Sequence, residues 1–586
     1  MRMKKRSPGI QRSPTKTNVP GKNASKQRPF RYRNALIATS ILIVTFIAYT
    51  PSLRNDLLKT WDDQAYVTNN DLVKSLSFDN IKKIFKEDQG LYANYHPLTT
   101  VSLALNYHFS KLDSLGYHLT NLFLHLLNTL LVFIFIYWLT GKCLEIAVFV
   151  SLLFGLLPMH VESVAWISER KDVLYTFFFL SSLIAYQFFV RKNNIIFYFA
   201  CLLFFLFSLL SKAMAVSLPV VLLLIDRLAK RKWGFRRMIE KLPFFLLAII
   251  LGVIAVKIQA GNGAISNITF PLINRMLHVV YGFVMYIVKI LVPFGLSAFY
   301  PYPYPLVNSA WVLDKIPTVL FFTLIIFIPV LIFTVTKVIK PGKNSDVIVF
   351  GILFYTITIA AVLQFLPVGR AIMADRYSYI PSIGILLAAG WFLYPYYLKP
   401  KFKPIVIIAF IIYSCLLFQV TFERNKVWKN DESLWTDVIR TNPNDSRFAL
   451  AVDNRAQYYY SENKMDKALN DYLLLSTYTP RDANVLDKIG QIYGKKLNDL
   501  DHALMFFQKA YEVNPRNVDV LSDLGTVYGM KKDPQKSLEY SLKGLQINGN
   551  DPMLLMNAGI SYQQLGESAK AKEFIDKAHR IDPSFK

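Results

Sequence analysis

The chain has little cysteine, three residues in 586, and Cys143, Cys201 and Cys415 all lie in apolar stretches. A thiol so placed is ordinarily a small core side chain, so neither a disulfide framework nor a zinc site is indicated. Acidic residues are absent from the first 33 positions, which are rich in Lys and Arg with Pro, Ser and Asn. That composition cannot build a core and reads as a disordered basic cytoplasmic tail, residues 1–34. The small-residue cleavage site of a signal peptide is missing at Thr50 to Leu53, so the apolar run Ala35 to Tyr49 reads as an uncleaved first span. The net charge of +26 has its excess in the tail and in short loops between apolar runs. There it orients a membrane protein, and nucleic acid is not an expected partner.

What is present is apolar surface. At 53% hydrophobic residues, concentrated in segments, the chain exceeds what one water-soluble domain can bury. Runs long enough to cross hydrocarbon, allowing for tilt, fall near 35–50, 119–140, 143–158, 173–190, 194–210, 213–226, 242–258, 314–336, 346–366, 380–398 and 403–420, about eleven in all. Only helices satisfy every lipid-facing backbone group within a segment, so the expected fold is all-α: a polytopic bundle over 35–422 with a long first outer loop at 52–117. A linker at 423–442 and a soluble domain at 443–586 follow. With the basic tail inside, Gly141-Lys142, Arg191-Lys192 and the stretch Arg227 to Lys241 fall inside in turn. The run Met276 to Pro293 is ambiguous. Reading it as re-entrant or interfacial keeps Lys337, Lys340, Lys343, Lys399, Lys401 and Lys403 inside, sets Phe299 to Pro305 at the outer interface, and makes the C-terminal domain extracytoplasmic.

From about 443 the pattern changes. Asn442-Pro443, Thr479-Pro480, Asn514-Pro515, Gly549 and Asp582-Pro583 recur at roughly 34-residue spacing, the tetratricopeptide period. Gly490, Gly525 and Gly559 each precede a tyrosine by three, at Tyr493, Tyr528 and Tyr562, and small residues follow at Ala503, Ser537 and Ala571. Roughly four units are expected to stack into an α-solenoid with a concave face suited to an extended peptide. Repeats supply surface, so chemistry is sought in the membrane part.

Two adjacent carboxylates, Asp62 and Asp63, open the first outer loop, and Tyr95-His96-Pro97-Leu98 stands near its end. Such a pair can take the proton of an acceptor hydroxyl and orient it, although a solvated acidic turn looks the same. Between two apolar runs, residues 158–172 gather His160, Glu162, Glu169, Arg170, Lys171 and Asp172. That density of ionisable groups is expensive unless it faces a polar cavity. His160 and Glu162 lack the His-Glu-x-x-His zinc spacing, while Arg170 and Lys171 can bind a phosphate or simply snorkel to the interface. Ser211-Lys212 and Asp375-Arg376-Tyr377 fall at outer helix ends and can join them around an anionic head group. His118, Asn121, His125 and Asn128 share one helical face and should turn toward the bundle interior.

Trp61-Asp62-Asp63 through Asn69-Asn70, Tyr95-His96-Pro97-Leu98-Thr99, the block from Pro158 to Asp172, Ser211-Lys212 and Arg376-Tyr-Ser-Tyr-Ile-Pro381-Ser together resemble the transmembrane-and-tetratricopeptide O-mannosyltransferase family. The resemblance covers most of the chain, including the order of membrane domain and repeats. It implies a GT-C membrane glycosyltransferase architecture and transfer of a sugar, mannose or another hexose, from a polyprenyl-phosphate donor to Ser or Thr of extracytoplasmic proteins, with inversion. It further implies that Asp62 or Asp63 is catalytic, and that Arg170, Lys171, Lys212 and Arg376 serve the leaving phosphate; His96, His160 and Glu162 are added as substrate-binding candidates. No resident cofactor is implied, and a divalent metal is left open. The short repeat array and the Lys-, Asn- and Ile-rich composition point to a bacterial inner-membrane protein with a periplasmic site. A lipid-linked oligosaccharide donor, and a non-catalytic membrane scaffold, are the alternatives. A transporter fits less well, because the ionisable residues gather at helix ends and not at the midplane.

Overall fold

The computed structural model describes residues 28–87, 94–232, 234–261, 272–302, 321, 323–340, 342, 345–365, 369–441 and 445–584. Most of the tail, the segment 303–320 and the Asn442-Pro443 pair therefore lie outside the described residues.

The fold is all-α. Its only described sheet pairs Tyr300–Pro301 with Ala371–Met373. Five described helices are long and apolar enough to cross a membrane: Tyr32–Arg54, Ser114–Leu139, Ile167–Lys192, Phe235–Gly261 and Lys403–Val427. A sixth arises if Leu144–Gly155 and Pro158–Ala165, bent by 49°, count as one span. Other runs expected to span form shorter helices, Ile195–Ser211, Ile325–Ile339 and Asp346–Val362. The ambiguous run lies on a continuous helix, Leu272–Leu291. Leu36, Ile43, Ile249, Ile250, Ile408 and Ile412 stay exposed, an arrangement that suits hydrocarbon and not water. The chain is a membrane protein.

The polar stripe turns inward as its spacing predicts. His118, Asn121, His125 and Asn128 are buried; Asn121 donates to the Val164 and Trp166 carbonyls, Asn128 to that of Val173 at 2.8 Å, and His125 pairs with the Tyr379 hydroxyl at 2.6 Å. The asparagine bonds tie the second span to the 158–173 block and the His125 bond ties it to Tyr379, so the stripe fixes its neighbours and does not line the cleft. Close approach is also built in with glycine. A Cβ on Gly351 or on Gly384 would stand 2.4 or 2.3 Å from the other's carbonyl oxygen, so these two helices cross backbone to backbone.

The C-terminal helices pair as Ala449–Ser461 with Met465–Tyr478, Ala483–Lys495 with Leu500–Val513, Val518–Met530 with Pro534–Ile547, and Pro552–Gln564 with Ser568–Ile581. A Cβ on Gly490, Gly525 or Gly559 would meet Phe507, Ser541 or Ile575 at 2.6, 2.7 or 2.6 Å, which is why glycine recurs where the two helices of a unit touch. Residues 423–442, expected as a linker, are largely helical: Lys403–Val427 runs through the first of them, and Asp431–Arg440 follows behind an Asn430 capping box.

Candidate functional site

The Asp62-Asp63 loop is held on both sides. Asp63 is buried and accepts from the Leu58 N–H at 3.0 Å, the Ser168 N–H at 2.9 Å and the Ser168 hydroxyl. Burial pushes its carboxyl up to about 6, against the pull of those bonds. On the other side, the Asp431 carboxylate accepts from the Lys59 N–H at 2.8 Å, the Thr60 N–H at 2.9 Å and the Thr60 hydroxyl at 2.5 Å. Trp435 donates to the Thr60 hydroxyl at 2.9 Å and stacks on Trp61 at 4.4 Å; Trp61 in turn sets its edge against Trp166 at 5.2 Å. Between these anchors the Asp62 carboxylate has no hydrogen bond or ion pair among the described residues. Burial raises its pKa, with Lys171 opposing and Glu169 adding to the rise.

Asp62 lines a cleft of about 700 Å³ together with Glu169, Lys171, Lys212 and Arg376. Glu169 is the hub of that cluster, 3.1 Å from the Lys171 ammonium, 3.6 Å from Lys212 and 3.2 Å from the Arg376 guanidinium. Glu162 takes the Arg376 backbone N–H at 3.0 Å and its guanidinium, while Asp172 pairs with Lys212 and accepts from Ser163. Lys171 lies over the Tyr66 ring at 4.7 Å, and Arg376 over Trp166 and Tyr377 at 5.4 and 4.8 Å. Lys59 and Arg370 also line the cleft, so among the described residues five basic side chains face two acidic ones, Asp62 and Glu169. A space so lined attracts an anion, and aromatic faces leave the cations partly free to receive it.

The strand pairing positions one wall. Tyr300 aligns with Met373 and its hydroxyl donates to buried Asp375 at 2.7 Å, which seats Arg376 beside Glu162. Another wall comes from the C-terminal domain: Leu450, Asn454 and Gln457 of the first repeat helix line the same cleft.

Of the residues singled out in the sequence, Asp62, Lys171, Lys212 and Arg376 line the cleft, and Glu162 braces Arg376 from behind. His96 stands next door, lining a smaller pocket with Lys171 and Lys212 and pairing with the Tyr66 hydroxyl at 3.3 Å. Burial, then the charges of Lys171 and Lys212, push its pKa down to about 3, so its ring is neutral. Arg170 is a correction. Its guanidinium, fully buried, turns to Asn121, to the Ser102 hydroxyl at 2.9 Å and to the Tyr117 carbonyl at 2.9 Å, because successive residues at a helix start point about 100° apart. His160 is likewise not brought to the cleft; it packs between Phe154 and Tyr379 and bonds the Phe154 carbonyl and Ser382. Sequence reasoning passed over Glu169 as a site residue, although it stands directly before Arg170-Lys171. It also passed over Asp431 and Trp435, which lie in the stretch expected as a linker, residues 423–442.

Fold and cleft define a helical membrane protein whose repeat array closes one side of a polar, cation-rich site. Comparison with known proteins agrees. A family model described as tetratricopeptide repeat matches residues 483–517 and 554–585. Along 457 residues, 73% of this chain and 61% of the relative, it is 27% identical to the protein O-mannosyl-transferase F38B6.6 of Caenorhabditis elegans. Along 484 residues, 75% of this chain and 51% of the relative, it is 24% identical to the human protein O-mannosyl-transferase TMTC3. A shorter match, 34% over 137 residues, covers 22% of this chain and 16% of tmtc2 of Xenopus laevis. These homologues are the transmembrane-and-tetratricopeptide proteins that the sequence blocks resemble, and the chain spans about half to three fifths of the length of the first two. Among solved structures, a crystal structure of MamA is 18% identical over 26% of this chain and 86% of its own, with a TM-score of 0.24.

Proposed function

We propose that the chain is a membrane glycosyltransferase that moves a sugar, mannose or another hexose, from a polyprenyl-phosphate donor to Ser or Thr hydroxyls of proteins on the membrane face away from the cytosol. The observation that carries this reading is the Asp62 carboxylate, without a hydrogen bond or ion pair among the described residues and set in one cleft with Lys171, Lys212 and Arg376. Asp62 takes the acceptor hydroxyl's proton, and the freed oxygen attacks the anomeric carbon. The bond from that carbon to the phosphate oxygen breaks, and its electron pair leaves with polyprenyl phosphate. A phosphate leaving group needs positive charge and no proton, which three fixed cations supply without reorganisation. Attack from the face opposite the phosphate inverts the anomeric configuration.

Between Asp62 and Asp63 the geometry favours Asp62 as base, since Asp62 lines the cleft while both Asp63 oxygens are turned to Leu58 and Ser168. Glu169 holds the cations together until the donor phosphate competes for them. The acceptor polypeptide enters past Leu450, Asn454 and Gln457, so the repeats hold the chain that carries the hydroxyl. Names of the relatives, each a protein O-mannosyl-transferase, support mannose as the first sugar to try.

The test is direct. Purified protein in lipid nanodiscs receives polyprenyl-phosphate mannose and a Ser/Thr peptide, and the peptide is weighed by mass spectrometry. Addition of one hexose supports the proposal; a larger adduct with oligosaccharide donors would move it to oligosaccharide transfer. No adduct with either donor would leave the scaffold reading standing.

A further inference from the structure

We infer that Asp431 and Trp435, on the helix that leads into the repeats, are positioning residues for the base Asp62; the inference rests on the proposed transfer reaction. Three observations converge on residues 59–61, the segment directly before Asp62. First, Asp431 is 1% exposed, and its carboxylate is spent on two backbone N–H groups and one hydroxyl of Lys59 and Thr60. A buried carboxylate accepting three bonds from one short segment fixes that segment's path, because each bond lost would leave an uncompensated charge. Second, Trp435 covers the Trp61 ring at 4.4 Å with a 15° tilt while its N–H holds Thr60. Third, the lacing continues beyond the pair: Asp56 N–H donates to the Lys429 carbonyl at 2.8 Å, Asn55 to that of Asn425 at 3.2 Å, and Lys59 pairs with Glu462, directly after the first repeat helix, at 2.6 Å.

Among the described residues the Asp62 side chain has no hydrogen bond or ion pair to aim it. Its direction is set by the backbone on either side, by Ser168 through Asp63 and by Asp431 and Trp435 through Thr60 and Trp61. A general base must sit within hydrogen-bond reach of the proton it takes, and a displacement of about 1 Å at a reacting group can cost on the order of 100-fold in rate. The start of the C-terminal domain is therefore part of the catalytic apparatus, and not only a mount for the repeats.

Full-length Asp431→Ala, Asp431→Asn and Trp435→Phe proteins test this by two readouts. Hydrogen exchange followed by mass spectrometry should show the amides of residues 59–60 protected in the parent and exchanging at least tenfold faster in Asp431→Ala, with the amide that Asp63 holds on Ser168 unchanged. Transfer kinetics should show kcat down 10- to 100-fold in Asp431→Ala, down a few-fold in Trp435→Phe, which keeps a ring on Trp61, and partly restored in Asp431→Asn, which keeps an acceptor oxygen. The KM for the lipid donor should stay within twofold of the parent in all three. Unchanged exchange at 59–60 overturns the inference even if the parent transfers sugar. So does a kcat within twofold of the parent, or a donor KM that rises along with the fall in kcat. Absence of transfer by the parent would count against the proposed reaction alone, and the exchange result would still decide whether Asp431 holds the loop.

Discussion

Two networks of buried charge lie on this molecule, and they differ in one respect. Around the cleft, Glu162, Glu169 and Asp172 hold Lys171, Lys212 and Arg376 beside an unpaired Asp62. In the second network, Asp226 meets Arg231 at 2.7 Å and Lys241 at 2.8 Å, and Glu240 meets Arg231 at 3.1 Å and Arg237 at 2.7 Å. Tyr186 donates to Asp226 at 2.7 Å and receives Lys241 at 2.5 Å. Lys241 and the cleft residue Gln259 are both on Phe235–Gly261; their 18-residue separation is about 27 Å along the axis. Clusters of charge thus sit toward the two ends of one helix, but among the described residues only the cleft end leaves a carboxylate free with room in front of it. The second network is a closed lock, and density of charge by itself marks neither a site nor a lock.

The widest separation between the two is expected from neutralising one acid in each. Asp62→Asn should lower transfer by 10³-fold or more, with thermal stability within about 0.5 kcal/mol of the parent, since its carboxylate has no partner among the described residues to lose. Asp226→Ala should do the reverse, costing roughly 3–5 kcal/mol by leaving Arg231 and buried Lys241 with Glu240 alone to balance them, while kcat of the surviving folded protein stays near the parent value. Thermal unfolding in detergent beside the peptide transfer assay reads both. If Asp226→Ala loses turnover and Asp62→Asn loses stability, the distinction fails.

Within the cleft, Lys212→Ala or Arg376→Ala should reduce transfer by about 10²–10³-fold, the range for removing one group that stabilises a leaving oxyanion. Arg170→Ala, one position from Lys171, should act on stability instead, because its guanidinium is spent on Asn121, Ser102 and Tyr117. Steady-state kinetics of the three variants, normalised to folded protein, would show whether neighbours in sequence divide as the side chains do.

The pH profile sharpens the contrast between the two aspartates. Asp62 must be ionised to accept a proton, and burial raises its pKa from the ordinary value; transfer should therefore fall as pH drops through a limb lying above that value. Asp63 acts on stability and with the opposite sense. With its folded pKa pushed up to about 6, the folded protein keeps a proton that the unfolded chain gives up near pH 4, so stability declines as pH rises between the two. Asp63→Asn should flatten that decline, while losing about 1–3 kcal/mol because its amide sets a donor against the Leu58 N–H.

Legibility in the sequence followed the range of the signal. Gly490, Gly525 and Gly559 announced the repeats because a helix pair is a local unit and only a missing side chain lets its helices touch. The stripe from His118 to Asn128 announced an inward face for the same reason, one helix and one period. The block 158–172 announced a polar environment without saying which of its charges face it: Arg170 and Lys171 are indistinguishable in composition, and the helix start at Arg170 sends one to the core and the other to the cleft. Shorter helices such as Asp346–Val362 blurred the span count, since hydropathy records composition and not where a helix ends.

The order of the parts, an apolar bundle then a repeat array, and the acidic pair in the loop after the first apolar span follow from the chain alone, because composition and period are carried by neighbouring residues. Which aspartate is free, which cations share a cleft with it, and that Asp431 some 370 positions away holds the loop were decided by the tertiary structure. Those are pairings between distant segments, and no local pattern encodes the meeting of two side chains whose positions depend on every helix packed between them.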